Sequence, residues 1–240
     1  MSEGGDEREL REGLPLRTGY TLARESKFSY ACHGCNRCCW GKTIPVNPYE
    51  VARLAAHLAV DTTAFLAQHT TMGGATLVRK DDGSCEFLGP SGCTVHGARP
   101  LACRLYPLGR KRDPRGEERF AEVVPQERSE GVYGADANGT VDDFLRAQDV
   151  ARHVAMADAY FVRLERMLAA LQRRDDRAEV EQAATDAMYR APSLDAENIL
   201  DMDATVTSFC ARLGIALPTG VEEKTALHLS ALDDFVSTLA

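Results

Sequence analysis

The sequence predicts an α+β protein: a small cysteine-bearing domain built from short hairpins and helices, followed by an α-helical bundle region. Two observations carry this reading. Seven of the eight cysteines fall between Cys32 and Cys103, among closely spaced turn signals. Beyond residue 140, apolar residues recur at three- and four-residue intervals, the period of a helix that buries one face. Charge divides the chain in the same way, with 13 Lys and Arg against 9 Asp and Glu over residues 27–125, and 11 against 21 over residues 126–240. The expected organisation is an N-terminal extension (1–26), a cysteine domain (27–125), a linker (126–139) and an acidic helical region (140–240).

Each element follows from a local signal. Asn47, Pro48 and Glu50 form a capping signal, and Val51, Leu54, Ala55 and Leu58 give the helix after it one apolar face. A second short helix is expected from Asp61. The run 75–89 reads as two strands joined at Asp82-Gly83, with Cys85 on the returning strand. The turn at 89–92 delivers Cys93, and 99–107 makes one helical turn that carries Cys103 and stops before Pro107. Thr140, Asp142 and Asp143 open one long helix with Phe144, Val150, Val154, Ala157, Phe161, Leu164, Leu168 and Leu171 as its stripe, ending at the charged run 172–177. Further helices are expected over 176–190, over 195–212 before Gly214, and over 220–238 behind Thr219 and Glu222.

A chain of 240 residues, 44% hydrophobic, buries a core without covalent staples. The charged first thirty residues lack a signal-peptide core, and no apolar run approaches membrane-span length, so a soluble cytoplasmic protein with reduced thiols is expected. There is no Walker or Rossmann glycine fingerprint, no Gly-x-Ser-x-Gly elbow and no His-Glu-x-x-His. Conventional nucleotide-dependent enzymes are disfavoured, and whether the protein is an enzyme stays open.

The chemistry concentrates in "CHGCNRCCW", which places Cys32, Cys35, Cys38 and Cys39 within eight residues. Two-residue spacers let the sulfurs converge and turn backbone N–H groups toward them. Four thiolates this close repel one another unless a cation neutralises them. The neighbours Cys38 and Cys39 have diverging side chains, so one site takes both most readily if it is polynuclear. Hairpin and turn then bring Cys85 and Cys93 together, and the Arg99-Pro100 turn presents Cys103 beside them. The candidate metal ligands are therefore Cys32, Cys35, Cys38, Cys39, Cys85, Cys93 and Cys103. Cysteines serving only as small hydrophobes would scatter on apolar faces, as Cys210 does beside Phe209 and Leu213.

These cysteines, with Ile44, Glu50, Phe87-Leu88, Arg99-Pro100, Arg104 and Tyr106-Pro107, resemble the YkgJ-type cysteine-cluster proteins, whose shared region is the CxxCxxCC zinc- or iron-chelating domain. The resemblance covers about residues 28–125. It implies a metal-chelating domain, and the cluster is also similar to that of flagellin lysine N-methylase, an enzyme associated with an iron-sulfur cluster. The chain departs from the pattern twice. Asn36 stands where glycine is common, and Asn tolerates the left-handed backbone better than most residues. Seven cysteines stand where many members have eight, with Val124-Pro125 near the position of a further Cys-Pro.

His33 and His96 read as surface or supporting residues rather than ligands. Trp40 reads equally as a shield over the cluster or as core, and Arg99 and Arg104 as donors to sulfur or as ordinary ion pairs. The basic run 109–116 reads as a solvated hairpin tip, not a nucleic-acid surface. Two functions remain. One is a zinc- or iron-binding module, with an iron-sulfur cluster among the options and the helical region offered to a protein partner. The other is an iron-sulfur-dependent enzyme such as a protein N-methyltransferase.

Overall fold

The computed structural model describes residues 15–113, 115–173 and 200–239. In chain order their elements are β1 (Tyr30–Ala31), α1 (Pro48–Leu58), α2 (Thr62–His69), β2 (Thr70–Thr71), β3 (Thr76–Leu77), β4 (Leu88–Gly89), β5 (Gly92–Cys93), α3 (Leu101–Leu105), β6 (Leu108–Arg112), β7 (Glu118–Glu122), β8 (Val132–Tyr133), α4 (Val141–Ala147), α5 (Ala151–Arg173), α6 (Met202–Leu213) and α7 (Val221–Leu239). The strands pair as antiparallel two-stranded ribbons: β1 with β8, β2 with β3, β4 with β5 and β6 with β7. The fold is α+β with a helical C-terminal region. No described helix is long and apolar enough to cross a membrane.

Two compact units divide the chain. The first comprises the described residues up to Ile44 together with Arg79–His96 and Pro100–Arg152; the second comprises Pro45–Val78, Gly97–Arg99 and the described residues from His153 onward. In the first unit the β6–β7 ribbon turns at Asp113, whose Oδ1 accepts the N–H groups of Arg115 and Glu117, each at 2.9 Å. The basic run is thus a hairpin, as its sequence suggested, and its stem charge is paired: Glu118 accepts from Arg24 at 2.8 Å and from Arg110 at 2.7 Å. Behind the ribbon, Phe28 packs edge-on against Phe144 and Tyr133, with centroids 5.1 and 6.0 Å away.

The expected long helix from Thr140 is two helices. Thr140 and Asp143 form the capping box of α4, but Asp149 adopts φ 50°, a left-handed conformation that a right-handed helix cannot pass through. The break resets the helical phase. The buried positions of α5 are His153, Val154, Tyr160, Met167 and Ala170, while Phe161, expected inside, is exposed.

In the second unit α1 starts at the expected capping box of Asn47 and Glu50, and α2 starts at Asp61. Helix α6 begins at its Asp201 cap, later than expected, and ends at Gly214, while α7 occupies the expected final span. The helix expected over 176–190 and the start expected at 195 lie outside the described residues. Tyr49 from α1, Tyr160 from α5 and Leu232 from α7 form one core cluster; Ala52 with Met202, Val206 and Cys210 forms another. The N-termini of α2 and α6 cap each other. The Thr62 hydroxyl donates to Asp201 at 2.6 Å and accepts the Asp203 N–H at 2.8 Å, while the Thr62 N–H donates to the Asp203 carboxylate at 2.8 Å.

Candidate metal centre

All seven clustered cysteines belong to the first unit, whereas Cys210 is buried in the second. Strand β1 ends immediately before Cys32, which is exposed along with His33 and Gly34. The chain then bends through Asn36, whose φ of 58° and ψ of 10° is the left-handed conformation expected of a glycine substitute. Asn36 opens a 3-10 turn over Arg37–Cys39, closed by the Cys39 N–H on the Asn36 carbonyl at 3.0 Å.

A main-chain hydrogen bond ties Cys85 to this turn. The turn at Asp82-Gly83 forms, with the Asp82 carboxylate accepting the Ser84 N–H and the Gly83 N–H reaching Lys80. Its expected two strands shrink to a single bridge, Arg79 to Cys85, because β3 pairs backward with β2. The returning segment bonds to the cysteine loop instead. The Cys85 N–H donates to the Cys39 carbonyl at 2.8 Å, Trp40 bridges Ser84, and the Gly41 N–H donates to Gly83 at 3.0 Å. Leu88 reaches back to the Cys85 carbonyl and faces Cys93 across the β4–β5 turn. Gly92, at φ 107°, lies against Asn36: a methyl carbon at position 92 would stand 3.4 Å from Asn36 Oδ1. Cys103 rides on α3, its N–H bonded to the Pro100 carbonyl at 3.0 Å.

The thiols share one electrostatic neighbourhood. The hydrogen bond its S–H donates to Cys38, then burial, then the negative charges that Cys38, Cys103 and Cys93 would carry push the Cys39 thiol far above its ordinary range. Burial raises Cys85, the Phe87 N–H opposes it, and Cys93 adds to the rise. Burial raises Tyr30, and after the opposing Ser129 hydrogen bond the charges of Cys32, Cys35 and Cys38 raise it further. Tyr106 is raised first by burial, with Cys38 and Cys35 among the further causes. These two phenols form a wall beside the amino-terminal thiols that the cysteine pattern alone did not reveal. Their rings meet edge-on at 6.4 Å, and the buried Lys42 ammonium lies 3.2 Å from the Tyr106 ring centroid. The Tyr-x-Cys and Cys-Trp-x-Lys neighbours were the available sequence signal.

None of the eight cysteines is in a disulfide. Among the described residues no three Cys, His, Asp or Glu side chains stand ready in a metal-holding arrangement, so ligation requires the thiols to close further. The donor set suits a thiophilic ion: seven soft sulfurs that cannot all ionise together become compatible when a cation neutralises them. His33 and His96 are exposed. Arg104 is buried and donates to the Gln148 carbonyl at 3.0 Å, and Arg99 falls in the second unit. Trp40 is half-buried. Val124, near where a further Cys-Pro was sought, is exposed, and its N–H is bonded to Pro15.

A thiol-rich α+β unit that draws its seven cysteines from three segments defines the class. Residues 31–125 match the CxxCxxCC family, described as a "Putative zinc- or iron-chelating domain". No curated protein and no solved structure matches the chain.

Proposed function

We propose that the protein chelates zinc or iron through Cys32, Cys35, Cys38, Cys39, Cys85, Cys93 and Cys103. The observation that carries this reading is the Cys85 N–H to Cys39 carbonyl bond, which ties the two main thiol segments together, with Cys38 hydrogen-bonded to Cys39. Thiols outside disulfides suit a reducing, cytoplasmic setting. The helical second unit is the surface offered to a protein partner.

Metal analysis after anaerobic purification tests the reading. Bound zinc or iron is expected, and Cys103→Ser is expected to lower it and to lower thermal stability, because binding energy at a closed thiolate site is folding energy. Colourless protein with zinc identifies the ion as zinc; broad visible absorption near about 400 nm identifies an iron-sulfur cluster. Unchanged metal content in Cys103→Ser removes the carboxy-terminal motif from the site, and metal-free wild-type protein overturns the function.

A further inference from the structure

We propose that Asn138 is a site of spontaneous modification: its carboxamide cyclises onto the Gly139 nitrogen, and the imide opens to aspartate and isoaspartate, which loosens the tie between this turn and the strand that leads into Cys32.

Asn138-Gly139 is the chain's one Asn-Gly pair; the other asparagines precede Arg37, Pro48 and Ile199. Glycine has no side chain to hinder attack by its own nitrogen. The fold leaves both reacting groups available. Asn138 is exposed in the turn between β8 and α4, and among the described residues its carboxamide takes part in no hydrogen bond while the Gly139 N–H donates none. A side-chain carbon at position 139 would stand 2.9 Å from the Phe28 carbonyl oxygen and 3.1 Å from Ser29 Cβ, so the packing requires glycine there. Nothing in the turn uses the Asn138 side chain.

The reaction needs only water. The Gly139 nitrogen attacks Asn138 Cγ and loses its proton, the side-chain amide leaves as ammonia, and a succinimide joins residues 138 and 139. Water then breaks one of the two ring C–N bonds. Breaking the bond to Cγ gives aspartate; breaking the bond to the main-chain carbonyl carbon gives isoaspartate, in which the main chain runs through Cβ and Cγ.

The turn is pinned on both sides of the reacting bond. The Asp136 N–H donates to the Ser29 hydroxyl at 2.8 Å, that hydroxyl donates to the Asp136 carbonyl at 2.9 Å, and the Gly134 N–H donates to the Ser29 carbonyl at 3.0 Å. Asp136 Oδ1 accepts the Asn138 N–H at 2.9 Å. On the far side the Gly139 carbonyl accepts the Phe28 N–H at 3.0 Å. Isoaspartate lengthens the main chain by one carbon between these anchors, and either product sets a second carboxylate beside Asp136, where like charges repel. Ser29 is held by three bonds and Phe28 by one to Gly139, so the Phe28 bond yields.

The test holds the full-length protein in mildly alkaline buffer, where the attacking nitrogen loses its proton more readily, and samples it over time. Isoaspartate at position 138, read by peptide mass spectrometry and by labelling with an isoaspartyl methyltransferase, is expected to accumulate in the folded chain, faster as pH rises, and to be absent from Asn138→Gln. No isoaspartate in the folded chain, whether or not the urea-unfolded chain forms it, overturns the site. The isoaspartyl fraction, separated by its added negative charge, is expected to melt at a lower temperature and to exchange its Phe28 amide hydrogen faster than the parent. Asn138→Asp, which carries the charge without the longer chain, is expected to stay closer to the parent in both. Unchanged melting and Phe28 exchange in the isoaspartyl fraction overturn the structural consequence.

Discussion

Two glycines fix side chains at the thiols. Gly92 combines φ 107° with the Asn36 amide 3.4 Å from where a methyl carbon would sit. Any L-residue there is strained by about 1 kcal/mol or more, while an added methyl carbon meets the Asn36 amide at ordinary contact distance. Gly92→Ala is therefore expected to weaken zinc binding and lower the melting temperature, whereas Gly34→Ala, at a φ of 66° that L-residues reach more readily and with open space around it, should cost less. Zinc affinity and melting curves of the two variants check this, and equal losses would show that the backbone angle of Gly92 is of no special consequence to the site. Gly131 acts on the wall, since a side-chain carbon there would collide with the Tyr30 ring. At this scale the sequence was legible wherever a residue declares its backbone, as Asn36 does. Lys42 and Tyr106 were not legible, because a cation lying over a ring depends on segments that meet only in three dimensions.

Between elements, the reciprocal caps of α2 and α6 make a sharp target. Burial alone would raise the Asp203 carboxyl, but hydrogen bonds from the Lys224 ammonium and the Thr62 N–H hold it below its usual range. A carboxyl depressed in the folded state adds stability above its unfolded value of about 3.9, and that stability is lost as pH falls through the lower folded value. Asp203→Asn is expected to cost about 1–3 kcal/mol at neutral pH, with the gap to wild type closing in acid. Urea unfolding at several pH values checks this, and a pH-independent difference would assign the loss to packing. Element identity was largely readable here: capping boxes gave the starts of α1 and α4, the Asp61 cap that of α2, and Gly214 the end of α6. The misjudged helix from Thr140 shows the limit. Apolar periodicity runs on through Gln148–Val150 because nothing in those residue types forbids helix, and only the left-handed Asp149 reveals the break. Likewise Asp82-Gly83 announced a turn, but its strands found other partners.

Across the whole molecule, the seven clustered cysteines lie in one unit although they come from separated segments. What sequence order hid is that each unit is assembled from separated stretches: Pro45–Val78, which interrupts the cysteine run, packs its Tyr49 and Ala52 among residues beyond 150. Apolar spacing identifies a buried face but not the face it meets. Cys210 follows the same logic, since it lies in the core with Ala52, Met202 and Val206. Cys210→Ala is expected to leave metal content unchanged and to cost about 1 kcal/mol or more from the lost contacts, whereas Cys85→Ser should lower metal content. Metal analysis and melting curves of the pair decide between core and ligand. The bond from the Cys85 N–H to the Cys39 carbonyl spans 46 residues and is made entirely by peptide groups. The loop-closure entropy of that span, which grows only slowly with length, is thus met by the fold before any sulfur is engaged. An ion that leaves returns to thiol segments already held side by side, and the Cys85 amide should remain protected from hydrogen exchange after the ion has gone.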